Sequence, residues 1–206
     1  EFRRVLFRST SFQLDAQSDR IIPVAICDSS GNIIHIFISV YMPFYSRSNT
    51  DEYVEVLNVL QALIDQYPTT APIKILGDLN VQLPSTDKVS NNWYKKKGFN
   101  VHSKLLYDFL EYNNMVPLDM LFHQNVPHTY FCYGNNTFTW IDHILAFSRD
   151  VGDVDTCKII PLDAGNISDH LPVRMQMRLY VHKTPHTVLD NDFSSRSEEH
   201  TSELQS

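Results

Sequence analysis

The chain has 206 residues, 43% hydrophobic and 20% charged, an ordinary globular composition with enough length for one sizeable core. No apolar run approaches the roughly 18 residues of a membrane span, and the polar start Glu1-Phe2-Arg3-Arg4 is not a signal peptide. The net charge of −7 argues against a protein that grips nucleic acid by electrostatics alone. It does not exclude an enzyme that processes nucleic acid, because a carboxylate site is itself acidic and a bound cation supplies positive charge.

The cysteines Cys27, Cys132 and Cys157 are odd in number and widely spaced, which suggests neither a disulfide framework nor a zinc site. An intracellular location follows as the expectation, with the nucleus as one candidate compartment. Arg196 to Ser206 resembles a translated sequencing adapter: AGA TCG GAA GAG CAC ACG TCT reads Arg-Ser-Glu-Glu-His-Thr-Ser. Leu6-Phe7-Arg8-Ser9 can be coded by the reverse complement of the same stretch. The expected organisation is therefore adapter-derived residues 1–9, one partial domain over 10–182, an unstructured tail over 183–195 and adapter-derived residues 196–206.

Within the domain, Ile21 to Ile26 and Ile33 to Tyr41 read as strands joined by the turn Asp28-Ser29-Ser30-Gly31-Asn32. A helix follows, capped by Asn49 or Thr50 and closed by Pro68, with Tyr53, Val56, Leu57, Leu60, Leu63 and Ile64 along one face. Ile73 to Leu76 is a short buried strand running into Gly77-Asp78-Leu79-Asn80. A second amphipathic helix spans about Ser103 to Tyr112. Strands are expected over Thr129 to Cys132, Thr137 to Ala146, Thr156 to Ile160 and Val173 to Tyr180. The pattern implies an α/β (α+β) domain, with sheets packed face to face and helices outside.

Four features carry chemistry: Val40-Tyr41-Met42-Pro43, Gly77-Asp78-Leu79-Asn80, Thr139-Trp140-Ile141-Asp142-His143-Ile144-Leu145 and Ser168-Asp169-His170-Leu171-Pro172. Each alone has a bland reading as a turn, an edge residue or a packing aromatic. In this order, over Phe12 to Tyr180, they resemble the endonuclease/exonuclease/phosphatase superfamily. That group includes apurinic-site endonucleases, pancreatic deoxyribonuclease, sphingomyelinases, inositol-polyphosphate phosphatases and endonuclease domains of non-long-terminal-repeat retrotransposons. The resemblance implies a partial four-layer α/β sandwich with two mixed sheets.

It also implies roles. Asp78 would align or deprotonate the attacking water, with Asn80 beside the scissile phosphate. His170 would contact the phosphate or move a proton, oriented by Asp142. Asp169 would ligate Mg²⁺ or Mn²⁺, and Tyr41 would hydrogen-bond the phosphate. Hard oxygen donors suit those cations. His143 and His128 match no family position and are read as structural or exposed. Asn91-Asn92-Trp93-Tyr94-Lys95-Lys96-Lys97 is read as a solvated loop rather than a nucleic-acid contact.

The Trp140–Asp142 step and the Ser-Asp-His-Leu-Pro-Val finish look most similar to retrotransposon endonucleases, which nick DNA and usually precede a reverse transcriptase. The family also places an Asn or Asp and a metal-binding Glu on strands before the Tyr-x-Pro segment, and neither is assigned here. The parent domain is expected to be a hydrolase and this fragment weak or inactive. The alternatives are a non-catalytic remnant or binding-only fragment, and a phosphatase or sphingomyelinase-type member of the same superfamily. No membrane partner is expected.

Overall fold

A computed structural model describes residues 10–13, 18–46, 48–67, 71–84, 98–122, 124–161 and 167–179. The expected terminal segments and tail, and the lysine-bearing loop at 91–97, lie outside the described residues. Strand β1 (Thr10–Gln13) pairs antiparallel with β2 (Ile21–Cys27), which pairs antiparallel with β3 (Ile33–Tyr41). The β2–β3 turn is closed by the Asp28 carboxylate. It accepts from the Ser30 and Asn32 amides at 2.8 and 2.9 Å and from Asn32 Nδ2 at 3.0 Å. Gly31 supplies the left-handed φ of 85° that such a turn demands.

Helix α1 (Thr50–Gln66) buries Tyr53, Val56, Leu57, Leu60 and Leu63, the face set by its three- and four-residue spacing. Asn49 precedes it without capping it by side chain. Its amide instead fastens the loop after Pro43: Oδ1 accepts from Ser46 N at 2.8 Å, and Nδ2 donates to the Phe44 carbonyl at 2.7 Å. Strand β4 (Ile73–Asp78) then lies parallel to β3, in a register that sets Tyr41 opposite Asp78. Helix α2 (Val101–Tyr112) begins with a capping box between Asn100 and Ser103. It leads into β5 (Met115–Pro117) and the single turn α3 (Leu118–Leu121).

The stretch expected as one strand from Thr137 is two. Strand β7 (Thr137–Thr139) pairs with β6 (Tyr130–Cys132) as a separate hairpin, and β8 (Asp142–Phe147) enters the main sheet between β4 and β5. The break has a cause. The amides of Ile141 and Asp142 both donate to Thr129 Oγ1 at 3.0 Å, and the Ile141 carbonyl accepts from Leu79 N at 2.9 Å. The chain therefore changes partners at Trp140-Ile141. Strands β9 (Val154–Ile159) and β10 (Val173–Met177) form an antiparallel pair.

The main sheet is mixed, in the order β1-β2-β3-β4-β8-β5. Alternation along its strands builds two cores. Ile36, Ile38, Val40, Ile73, Ile75 and Leu145 face the helices and pack with Leu60, Leu106 and Phe109. Ile144 and Ala146 face the other way, joined by Leu76, and pack with Leu118, Val154, Cys157, Val173 and Met175. The β9–β10 layer and α3 thus cover one flank of the sheet while α1 and α2 cover the opposite face. Among the described residues, no helix is long and apolar enough to cross a membrane.

Gly77 sits where β4 approaches β3 so closely that an added Cβ would lie 1.9 Å from the Val40 carbonyl oxygen. Its φ of 147° also disfavours any other residue. Gly77→Ala should lower stability by roughly 1–3 kcal/mol or more, read as a shifted urea midpoint at unchanged slope.

Lys74, inside the apolar run of β4, is wholly buried, and its ammonium has the Asp150 carboxylate at 3.7 Å as ion-pair partner but no hydrogen bond. Burial pushes its pKa down, against the pull of Asp150. A buried pair with imperfect geometry rarely outweighs its desolvation. Lys74→Met should therefore be neutral or stabilising by about 1 kcal/mol or more, whereas Asp150→Ala should destabilise by roughly 3 kcal/mol; thermal unfolding separates the two.

Candidate active site

The chemistry-bearing side chains gather where three segments end at one edge of the sheet. Tyr41 closes β3, Asp78 closes β4, and Asp142 opens β8 directly opposite Asp78. The loop carrying Ser168, Asp169 and His170 is stitched to the β6 segment. Leu171 N donates to the Thr129 carbonyl at 2.6 Å, Phe131 N donates to the Asp169 carbonyl at 2.9 Å, and Tyr130 bridges His170. The turn after β4 is held by its own residues. Asn80 takes φ 54°, its amide donates to Asp78 Oδ1 at 2.9 Å, and its Nδ2 donates to the Met42 carbonyl at 2.8 Å. Asn is among the few residues that enter the left-handed region readily.

His170 Nδ1 lies 2.9 and 3.2 Å from the two Asp142 carboxylate oxygens, so Nδ1 carries the proton that the carboxylate accepts. The Tyr130 ring flanks the imidazole at 4.7 Å between centroids. One ligand atom each from Asp78, Asp142 and His170 falls within 4.8 Å of the others. Asp78 is pushed up to about 6, first by burial, with the Asp142 charge adding to it; the Asn80 amide and the two histidines work the other way. Two carboxylates and an imidazole nitrogen in this space fit a hard or borderline divalent cation, which would relieve that repulsion.

Tyr41 is 54% exposed at the rim, with the Arg20 guanidinium 5.5 Å from its ring centre. Arg20 is fixed by Glu52 at 2.6 Å. Asp169 is exposed and does not join the three-residue group; its backbone, rather than its carboxylate, ties it to β6. His128 is half-buried against Phe138 at 4.5 Å.

His143 is not exposed; it is 1% accessible. Its Nδ1 lies 2.8 Å from Asp119 Oδ2 and its Nε2 3.3 Å from the Val81 carbonyl. Burial opposes its charge, but the adjacent Asp119 carboxylate and both hydrogen bonds hold its pKa above the usual histidine range. Reasoning from sequence also passed over Thr129, fully buried, whose hydroxyl takes the amides at the mouth of β8 and whose carbonyl holds the His170 loop. Nothing in a Thr at a strand start announces that role. Asp119, set among Leu118, Met120 and Leu121, did carry a signal: a carboxylate in an apolar run needs buried partners.

No family model matches the chain, and no curated protein matches it. Solved structures do. The endonuclease domain of TRAS1, a telomere-specific non-LTR retrotransposon, aligns at 16% identity and TM-score 0.59, over 83% of this chain and 69% of that one. The 3′ phosphatase NExo from Neisseria, bound to product DNA hairpin, aligns at 17% identity and TM-score 0.58, over 83% and 72%. An AP endonuclease from Archaeoglobus fulgidus aligns at 19% identity and TM-score 0.59, over 84% and 71%. The likeness is one of fold: this chain adopts the mixed α/β architecture of endonuclease/exonuclease/phosphatase proteins.

Proposed function

We propose that the chain carries the catalytic face of a divalent-metal-dependent phosphodiesterase, an endonuclease that nicks DNA as non-LTR retrotransposon endonucleases do. The observation that carries this reading is the convergence of Asp78, Asp142 and His170 within 4.8 Å at the strand ends, with Asp78 poised near pH 6. A carboxylate whose affinity for protons lies near neutrality can take one from an attacking water. Asn80, beside it, orients the phosphate through its amide. His170, oriented by Asp142 through Nδ1, would contact the phosphate or move a proton. Tyr41 lends its phenol at the rim.

Asp169, next in sequence to His170, would ligate Mg²⁺ or Mn²⁺, leaving Asp78 as the base and Asp142 as the partner of His170. The bound cation supplies Lewis acidity and neutralises phosphoryl charge. DNA is the proposed partner, as for the similar Neisseria 3′ phosphatase bound to a product DNA hairpin, and a reverse transcriptase domain on a longer chain is the proposed context. The activity of these 206 residues alone is expected to be weak, because the resemblance implies a metal-binding Glu for which no residue here is assigned.

The test is single-turnover nicking of supercoiled plasmid with protein in excess, in Mn²⁺ or Mg²⁺ and in chelator. Open circles should accumulate with either cation and vanish when it is removed. Binding without cleavage would favour a non-catalytic remnant. Release of phosphate from a 3′-phosphorylated hairpin, with the plasmid intact, would favour the phosphatase reading that one neighbour suggests.

A further inference from the structure

We propose that Asp119 and His143 form a buried positioning pair that sets the separation of the two halves of the site, Asp78–Asn80 on one side and Asp142–His170 on the other. Asp119 is fully buried, and its carboxylate accepts from Trp140 Nε1 at 2.8 Å, His143 Nδ1 at 2.8 Å and Ile144 N at 2.9 Å. Those donors lie two residues before, one after and two after Asp142. One carboxylate thus clamps the chain on both sides of the residue that orients His170.

His143 carries the clamp across to the other half. Its Nε2 faces the Val81 carbonyl at 3.3 Å, the residue following Asn80. Both acceptors lack protons, so the ring donates from both nitrogens and bridges α3 to the turn after β4. The bridge is placed where the β4–β8 ladder gives out. Asp78↔Asp142 is its last register pair, and beyond it, among the described residues, one backbone bond from the Leu79 amide to the Ile141 carbonyl, 2.9 Å, joins the two segments.

Apolar side chains of the same volume would stabilise this region as well as a buried ion pair does. They would not fix three backbone segments by directional bonds. Asp119 and His143 are both buried and lie outside the Asp78, Asp142 and His170 group, so the pair acts through Asp142 and the Asp78–Asn80 turn.

The inference rests on the nuclease reading for its activity arm only; a spectroscopic arm stands without it. The His170 ring is observed by ¹⁵N–¹H correlation in the wild-type chain, in Asp119→Asn and in His143→Gln, with circular dichroism as the folding control. Expected are displaced His170 ring signals in both folded variants, and a nicking kcat lowered roughly 100-fold at nearly constant KM, as for an ångström of misplacement. A folded variant whose His170 signals coincide with wild type overturns the proposal. If both variants unfold, Trp140→Phe removes one donor to Asp119 with the ring stack kept. A smaller displacement in the same direction supports the pair, and none overturns it. Displaced signals in a chain that never nicks DNA would sustain the positioning role while removing the endonuclease reading.

Discussion

Asp78→Asn should reduce metal-dependent nicking by roughly 10²–10⁴-fold, to the background seen in chelator. The substitution keeps the shape of the β4 end, and its amide oxygen can still accept from the Asn80 amide, as Asp78 Oδ1 does at 2.9 Å. What it removes is the proton acceptor. The pH profile makes the point sharper. Burial, joined by the Asp142 charge, raises Asp78 to about 6, so the group is increasingly protonated below that value and ionised above it. A base works only in its ionised form. The wild-type rate should therefore climb about tenfold per pH unit below 6 and level off above it. In Asp78→Asn the residual rate should lose that inflection. A variant that nicks at the wild-type rate, or a wild-type profile flat from pH 5 to 8, would remove Asp78 from the mechanism. The amide should also fold at least as well near neutral pH, because a folded-state pKa above the unfolded one means that ionisation of Asp78 disfavours the native state as pH rises through this range.

The sequence-level reading succeeds where a residue declares its role by local pattern. Ile33 to Tyr41 is rich in Ile and Val, and it forms β3 at those bounds. Tyr53 to Leu63 recurs with helical spacing and is buried in α1. The Gly-Asp-Leu-Asn and Ser-Asp-His segments stand out only through their order along the chain, which resembles a known superfamily; the structure brings Asp78 and His170 together with Asp142. The reading falters wherever a residue is defined by a distant partner. Lys74 reads as an interruption of an apolar strand, and only the helical turn at Ser148–Asp153, which brings Asp150, gives it an ion pair. Thr137 to Ala146 has the composition of one strand. The break at Trp140-Ile141 is imposed by Thr129, a dozen residues away in sequence. His143 follows Asp142 and by alternation should face away from the site. It does, but into a buried carboxylate rather than into water. Spacing told which face each residue takes and could not tell what waits there.

Asp142→Asn separates charge from geometry within the site, and two effects of opposite kind should appear together. The carboxylate accepts the Nδ1 proton of His170 at 2.9 Å and so leaves Nε2 unprotonated in the neutral ring. An amide can present its NH₂ to Nδ1 instead, which transfers the ring proton to Nε2 and turns an acceptor into a donor. Nicking should fall by about 10²–10⁴-fold if the imidazole takes part in proton movement. The second effect concerns the neighbour. The Asp142 charge contributes to holding Asp78 up, so its removal should move the inflection of the residual rate below 6. Stability near neutral pH should stay within about 1–2 kcal/mol of wild type, since the lost charged hydrogen bond is offset in part by relief of the carboxylate repulsion. A simple structural defect would lower rate and melting temperature together and leave the inflection in place. A rate loss with a downward-shifted inflection and an unchanged melt would identify Asp142 as both the orienter of His170 and the group that tunes Asp78.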